Sequence, residues 1–86
     1  MPGNANSITV QDDYAYVAAG RSGFQVIDIG NPANPSIVGS CDTPGFAQGV
    51  YISGNYAYVA DSSSGLQMID ISDPTNPTIV GSYDTL

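Results

Sequence analysis

Short apolar stretches alternate with turn-forming residues along the whole chain. Segments rich in Val, Ile and Tyr are separated by clusters of Gly, Pro, Asn, Asp and Ser, which is the pattern of short β-strands joined by turns. No stretch has the apolar spacing and the capping residues of a helix. We therefore predict an all-β chain, with strands at residues 6–11, 14–19, 24–30, 36–42, 48–53, 56–61, 66–72 and 78–84.

Several predicted strands are apolar on both sides. Residues 26–29 read Val-Ile-Asp-Ile, and residues 56–60 read Tyr-Ala-Tyr-Val-Ala. A strand with one face in water usually alternates between apolar and polar residues, whereas a strand covered on both faces does not. The pattern therefore predicts sheets that are packed on both sides.

The chain consists of two copies of one repeat. Residues 3–44 and 45–86 align without a gap at an offset of 42 residues, and 22 of the 42 positions are identical. Each copy contains four predicted strands. Four-stranded units of this length, each packed between similar units, are the blades of a β-propeller. We predict one blade at residues 3–44 and a second at residues 45–86.

The third strand of each copy carries a recognisable motif. Residues 23–29 read Gly-Phe-Gln-Val-Ile-Asp-Ile and residues 65–71 read Gly-Leu-Gln-Met-Ile-Asp-Ile, and both are followed by a proline-containing turn and Ile-Val-Gly-Ser. With Tyr-Ala-Tyr-Val-Ala in the second strand, the chain resembles the LVIVD repeat family, which is similar to surface propellers of the YVTN type. The resemblance implies a propeller without a defined enzymatic activity, and it supplies no catalytic residues.

Two blades are too few to close a propeller, which typically has four to eight. Two blades bury one mutual interface and leave two apolar outer faces in water, which is a signal for association. We expect identical chains to join head to tail in a ring of six or eight blades. A homotetramer is slightly favoured over a homotrimer, because the family contains long arrays. The residues expected to pack between blades are Tyr14, Tyr16, Val17, Ile27, Ile29, Tyr56, Tyr58, Val59, Ile69 and Ile71.

Composition excludes several classes of function. The chain has one Arg, no Lys, no His and no Glu, with a formal net charge of −7. Nucleophile–histidine pairs and imidazole metal ligands are therefore absent. One cation cannot neutralise several phosphates, so we expect no nucleic-acid partner. We also expect no enzymatic activity, no cofactor and no metal site.

The chain carries no obvious targeting segment. The N-terminal residues lack the charged and apolar regions of a signal peptide, and no apolar run is long enough for membrane insertion. The family resemblance, by contrast, implies an extracytoplasmic parent protein, so the localisation stays open. The clean repeat boundaries fit a natural fragment, an excised one or a designed one.

Two carboxylates, Asp28 and Asp70, occupy equivalent positions at the ends of apolar strands. They could form a site for acid–base chemistry or for a metal. Their repetition in each copy favours a structural role, in which each accepts hydrogen bonds from the backbone of the following turn.

The first strand of a blade is expected to be the innermost, by family resemblance. We predict that Asn6, Gln48 and Tyr51 line part of a central channel, which either holds a small polar ligand or is simply hydrated. The function predicted from the sequence is a self-assembling propeller with a structural role. The alternative is a protein- or carbohydrate-binding module that uses blade loops or the channel mouth. The substitutions Val59→Asp and Ile69→Asp are each expected to prevent ring formation.

Overall fold

Eight short strands form two separate antiparallel sheets of four strands each. A computed structural model of the chain describes residues 5–83, and in each sheet the strands lie side by side in chain order. The prediction of an all-β chain with two four-stranded, blade-like sheets is confirmed. The first sheet contains β1 (Ser7–Gln11), β2 (Tyr14–Ala18), β3 (Phe24–Asp28) and β4 (Ser36–Cys41), and the second contains β5 (Gly49–Ser53), β6 (Tyr56–Ala60), β7 (Leu66–Asp70) and β8 (Thr78–Tyr83).

The third strand of each sheet ends two residues earlier than predicted. The carboxylate of Asp28 accepts a hydrogen bond from the backbone N–H of Gly30 at 2.8 Å, and Asp70 accepts one from the N–H of Ser72 at the same distance. These short-range bonds turn the backbone away from the ladder of the sheet. Each strand therefore stops at its aspartate.

The two sheets share their irregularities as well as their strands. The first hairpin of each sheet turns through a residue with positive φ, Asp12 at 57° and Gly54 at 59°. The register between the third and fourth strands shifts after Val26 in one sheet and after Met68 in the other, which marks a β-bulge at equivalent positions. Repeated sequence has therefore produced repeated backbone geometry.

One face of each sheet packs against the other sheet. Residues that pair directly across strands share a face, so the register defines each face. We call these two surfaces the inner faces. The first sheet contributes Tyr14, Tyr16, Ala18, Phe24 and Val26, and the second contributes Val50, Ile52, Ala57, Val59 and Ile69.

Apolar packing and hydrogen bonds both join the sheets. The rings of Tyr16 and Phe24 stack on the inner face of the first sheet, 6.0 Å apart. The hydroxyl of Thr9 donates to the Val50 carbonyl at 3.0 Å, and the Val50 N–H donates to the Ser7 hydroxyl at 3.3 Å. The first strands of the two sheets are therefore fixed to each other by polar contacts at the edge of an apolar interface.

The last strand of the first sheet lies close enough to the loop between β7 and β8 to require glycine. A Cβ atom at Gly39, which is buried in β4, would collide with the carbonyl oxygen of Pro74 and lie 3.1 Å from Pro77. The loop between β7 and β8 therefore lies directly against the outer strand of the first sheet.

Candidate assembly surface

The outer face of the first sheet is apolar apart from Gln25 and Ser40, and no layer formed by residues 5–83 covers it. We call this surface the isoleucine face. Two of its residues lie on the first strand and are more than half exposed, Ile8 at 58% and Val10 at 59%. Val17 and Ala15 lie on the central strand opposite them and are buried, because neighbouring strands flank them. The isoleucine face consists of Ile8, Val10, Ala15, Val17, Ile27 and Ile37.

The outer face of the second sheet is apolar and aromatic. Tyr51 pairs with Tyr58 across strands and is 69% exposed, and Tyr83 pairs with Leu66 and is 68% exposed. An uncovered surface with several exposed aromatic side chains is typical of a contact site. We call it the tyrosine face, and it consists of Tyr51, Tyr56, Tyr58, Leu66, Met68 and Tyr83.

Each outer face repeats the inner face of the opposite sheet. At the 42-residue offset, Ala15, Val17 and Ile27 of the isoleucine face correspond to the identical residues Ala57, Val59 and Ile69 of an inner face. Tyr56 and Tyr58 of the tyrosine face correspond in the same way to Tyr14 and Tyr16. The two outer faces are therefore of the same two kinds as the two surfaces that already pack together within the chain.

A cavity of about 270 Å³ opens beside the tyrosine face. It is lined by the end of β6, by the loop that follows and by Gln48. The lining contains both apolar and polar groups. It consists of Gln48, Ala60, Asp61, Ser62, Gly65 and Leu66.

The loop beside this cavity has a fully buried carboxylate. One oxygen of Asp61 accepts a hydrogen bond from the N–H of Gly45 at 2.8 Å, whereas its Oδ1 atom has no partner among the described residues. A Cβ atom at Gly45 would lie 2.5 Å from the Asp61 carbonyl oxygen, so the two segments are in close contact. Asp61 therefore fixes the start of the second repeat to the cavity wall.

Each of the two predicted turn carboxylates forms its hydrogen bond within its own turn, as expected for a structural role. Asp28 and Asp70 each bind the backbone two residues ahead. Hydrogen bonds from the N–H and the side chain of Ser72 hold the pKa of the exposed Asp70 carboxyl below its ordinary value. Within residues 5–83, no group of three or more His, Cys, Asp or Glu side chains is arranged to hold a metal ion.

The residues predicted to pack between blades fall in different places. Tyr16, Val59, Ile69 and Ile71 belong to the buried cluster between the two sheets, and Tyr14 packs against it. Val17 and Ile27 lie on the isoleucine face, and Tyr56 and Tyr58 lie on the tyrosine face. Ile29 is half-buried beyond the end of β3. Of these residues, Ile27, Tyr56 and Tyr58 retain exposed surface on an outer face, whereas Val17 is buried among its neighbours.

Some residues of these surfaces were not predicted from the sequence. Ile8 and Val10 are the most exposed members of the isoleucine face, but neither was among the predicted packing residues. Their repeat counterparts, Val50 and Ile52, are equally apolar, and this agreement between copies was a usable signal. Gly39 was also missed, since its role depends on a loop contact that no local pattern reveals.

Of the predicted channel residues, Asn6 and Gln48 are exposed at equivalent positions before the first strand of each sheet. The side-chain amide of Asn6 donates to the Ala47 carbonyl at 3.1 Å. Tyr51, in contrast, lies on the tyrosine face opposite Tyr58. The lining of a channel by these residues stays a prediction.

The single cysteine shows no sign of activation. Burial is the main cause that raises the pKa of the Cys41 thiol, and the negative charge of the nearby Asp42 raises that pKa as well. A hydrogen bond with the Ile79 backbone lowers it, but by less than burial raises it. A raised pKa leaves less of the reactive thiolate at neutral pH. Among the described residues, none forms a helix of the length and apolarity that a membrane crossing needs.

The comparisons with known proteins agree with this repeat architecture. The model of the LVIVD repeat matches residues 2–43 and again residues 44–85, so the two matches begin 42 residues apart, like the internal repeat. Neither the curated proteins nor the solved structures give a match. The two matches cover nearly the whole chain, each over one four-stranded sheet, and the chain therefore belongs to the LVIVD repeat family.

Proposed function

We propose that this chain is a self-assembling module that forms a closed β-propeller ring from three or four identical copies. The isoleucine face of one copy packs against the tyrosine face of the next. Each junction between chains then repeats the junction that joins the two sheets within a chain. The role is structural and involves no catalysis.

One observation carries this proposal, the match between the outer faces and the inner faces. Within the chain, Tyr16 and Phe24 pack against the layer that contains Val59 and Ile69. Tyr58 and Leu66 occupy the corresponding positions of the tyrosine face, 42 residues later. A contact between the two outer faces is head-to-tail, and contacts of this kind generate either closed rings or open filaments.

Burial of apolar surface supplies the driving force for assembly. Ile8 and Val10 are more than half exposed in the single chain, as are Tyr51 and Tyr83. Removing a Val or Ile side chain from water contributes about 1.5–3 kcal/mol when burial is complete. Several such side chains on each face provide enough gain to offset the entropy lost on association.

Two blades per chain allow only even numbers of blades. Three copies make six and four make eight, and both totals lie within the range of propellers. We favour four copies slightly, because the family contains long arrays. The angle between consecutive blades, repeated around the axis, decides between them.

The test is the native mass of the purified chain at micromolar concentration, measured by native mass spectrometry and by sedimentation. A ring of three or four copies has a mass of about 27 or about 36 kDa, from 8.9 kDa per chain. A single closed species at either mass supports the proposal and determines the number of blades. A folded monomer at 8.9 kDa, or an open-ended ladder of masses, would contradict it.

A variant pair makes this test specific for the outer faces. Ile8→Asp places a charge on the isoleucine face, where Ile8 is 58% exposed in the single chain. Asn55→Asp adds the same charge in an exposed hairpin turn, where the first repeat already has Asp13. We expect only Ile8→Asp to shift the mass toward the monomer, while circular dichroism shows that both variants remain β-sheet proteins.

A further inference from the structure

The cavity beside the tyrosine face has a counterpart in the first sheet, and that counterpart is filled. Its lining residues Ala60 and Leu66 correspond to Ala18 and Phe24. Ala18 and Phe24 are covered by Ala47, which is fully buried in the same cluster. The cavity is therefore the position at the second sheet that the Ala47 segment occupies at the first.

Backbone pairing holds the Ala47 segment in place. The N–H of Gly20 donates to the Ala47 carbonyl at 3.0 Å, and the N–H of Ala47 donates to the Gly20 carbonyl at 3.1 Å. The side-chain amide of Asn6 donates to the same Ala47 carbonyl at 3.1 Å. Two backbone hydrogen bonds thus join the second repeat to the loop after β2, and a third bond joins it to Asn6 just before β1.

The loop beside the cavity already has the conformation that this pairing requires. Ser62 corresponds to Gly20 and has φ of 52°, close to the 59° of the glycine, although a residue with a side chain rarely adopts positive φ. The N–H of Gly65 donates to the Ser62 carbonyl at 3.1 Å, as Gly23 does to Gly20. The loop is preorganised for a pairing that no described residue of the single chain completes.

The residue that corresponds to Ala47 in the first repeat is Ala5. It is exposed, and the next residue, Asn6, is fixed to the first sheet because its N–H donates to the Ala18 carbonyl at 2.8 Å. Gln48 is fixed to the second sheet by the corresponding bond to Ala60, also at 2.8 Å. Ala5 is therefore held next to the first sheet in the way that Ala47 is held next to the second.

We infer that the cavity is the binding site for Ala5 of a neighbouring copy of the chain. Ser62 and that Ala5 exchange two backbone hydrogen bonds, and the Gln48 side-chain amide donates to the Ala5 carbonyl. The methyl group of Ala5 contacts Ala60 and Leu66. This inference rests on the proposed ring and names the contact that fixes the direction in which copies join.

The test compares two variants that add one negative charge each. Ala5→Asp brings a carboxylate into the cavity beside the buried carboxylate of Asp61, whereas Ala5 is exposed in the single chain. Asn55→Asp adds its charge in an exposed turn away from the cavity. We expect Ala5→Asp to raise the concentration at which half the ring dissociates by about tenfold or more, because a buried unpaired charge is costly. We expect Asn55→Asp to leave that concentration unchanged.

Hydrogen exchange of the Ser62 amide provides a second readout. In the assembled wild-type chain this amide is expected to be protected to a degree similar to the Gly20 amide. The variant Ala5→Pro, which removes the N–H that would donate to Ser62, is expected to weaken the ring without unfolding the chain.

The outcomes separate this inference from the proposal of a ring. A wild-type ring that Ala5→Asp and Ala5→Pro leave intact, with a rapidly exchanging Ser62 amide, would overturn the binding of Ala5 and leave the ring standing. A wild-type chain that stays monomeric at all concentrations would overturn the ring itself, and the Ala5 contact with it.

Discussion

The inner face of the first sheet and the tyrosine face of the second sheet occupy the same repeat positions in different surroundings. Phe24 is fully buried, whereas Leu66, its repeat counterpart, is partly exposed. Tyr16 is buried and Tyr58 is half-buried, although both belong to the sequence Tyr-Ala-Tyr-Val-Ala. The strand pairing and the bulges are equivalent in the two sheets, so the main difference between these faces is the second sheet that covers one of them.

This comparison shows that burial in a repeat protein is decided by the neighbour of each repeat. In such proteins, each unit contacts only its neighbours, and a terminal unit without a polar cap exposes a surface adapted for contact. Neither outer face here is polar. Both outer faces are therefore candidate contact surfaces for a neighbouring unit.

The faces also differ where a repeat position has changed. Thr9, which bonds to the second sheet, corresponds to Tyr51, and Cys41 corresponds to Tyr83. A tyrosine cannot reproduce the short hydroxyl contact of Thr9, but it offers more apolar surface. We expect the junction between chains to depend more on aromatic burial than the junction within the chain does.

The largest expected effect separates two isoleucines at the same repeat position. Ile69 is fully buried between the sheets, whereas Ile27 lies half-buried on the isoleucine face. Ile69→Asp is expected to destabilise the chain by about 3–5 kcal/mol, because it leaves a charge unpaired between the sheets. Ile27→Asp is expected to abolish the ring and preserve much of the fold. Thermal unfolding and native mass measure the two effects.

This pair also sharpens the earlier expectation that an Asp at Val59 or Ile69 prevents ring formation. Both residues lie inside the chain's own interface, so a charge there acts first on folding. Equal loss of folding in Ile27→Asp and Ile69→Asp would contradict the distinction between the inner and outer faces.

A smaller effect is expected at two glycines of the outer strands. Gly39→Ala introduces a methyl group against the Pro74 carbonyl and should lower the melting temperature of the chain, since backbone must move. Among the described residues, a Cβ atom at its counterpart Gly81 would meet just the side chain of Met68, whose flexible end lies at 3.3 Å, so Gly81→Ala should leave the single chain folded. In the proposed ring, the methyl group of Gly81→Ala is expected to contact the loop between β3 and β4 of the next copy, near Pro32, and to weaken assembly. A variant Gly81→Ala that assembles like wild type would argue that the junctions between chains and within a chain differ here.

The smallest effect concerns the exposed turn carboxylates and pH. In the folded chain the pKa of Asp70 is lower than its ordinary value of 3.8. The charged carboxylate therefore stabilises the folded chain at pH values above 3.8. That contribution is lost as the pH falls through the lowered pKa of the folded state. The stability of Asp70→Asn should therefore fall less between pH 5 and pH 2 than that of wild type, measured by urea unfolding. Asp42→Asn, an exposed change of the same charge, is the control, and an identical pH profile for the two variants would contradict the assignment.

Much of the fold follows from local pattern. The spacing of Tyr-Ala-Tyr-Val-Ala and of the Ile-Asp-Ile segments located every strand to within two residues, because turn residues stand at each boundary. The ends of β3 and β7 were placed too late because the hydrogen bonds of Asp28 and Asp70 to the backbone begin the turn before the apolar run is over.

The candidate surface was harder to obtain from sequence. Apolar residues occupy both faces of the central strands, so alternation could not indicate which face of each repeat meets the other. The role of Ala47 also escaped prediction, since a short alanine-containing segment has no periodic signal. Its importance is visible only through its pairing with Gly20, which lies 27 positions earlier by residue number.

The amino-acid sequence alone determined the repeat, the eight strands, the all-β class and the family, because these depend on local preferences repeated at a 42-residue interval. The tertiary structure decided which faces are covered, that Asp61 is buried beside a cavity, and that Gly39 contacts a loop of the other sheet. These features come from contacts between segments far apart in the chain. A strand that is apolar on both sides fits either orientation, and only the packing of one whole sheet on another selects between them.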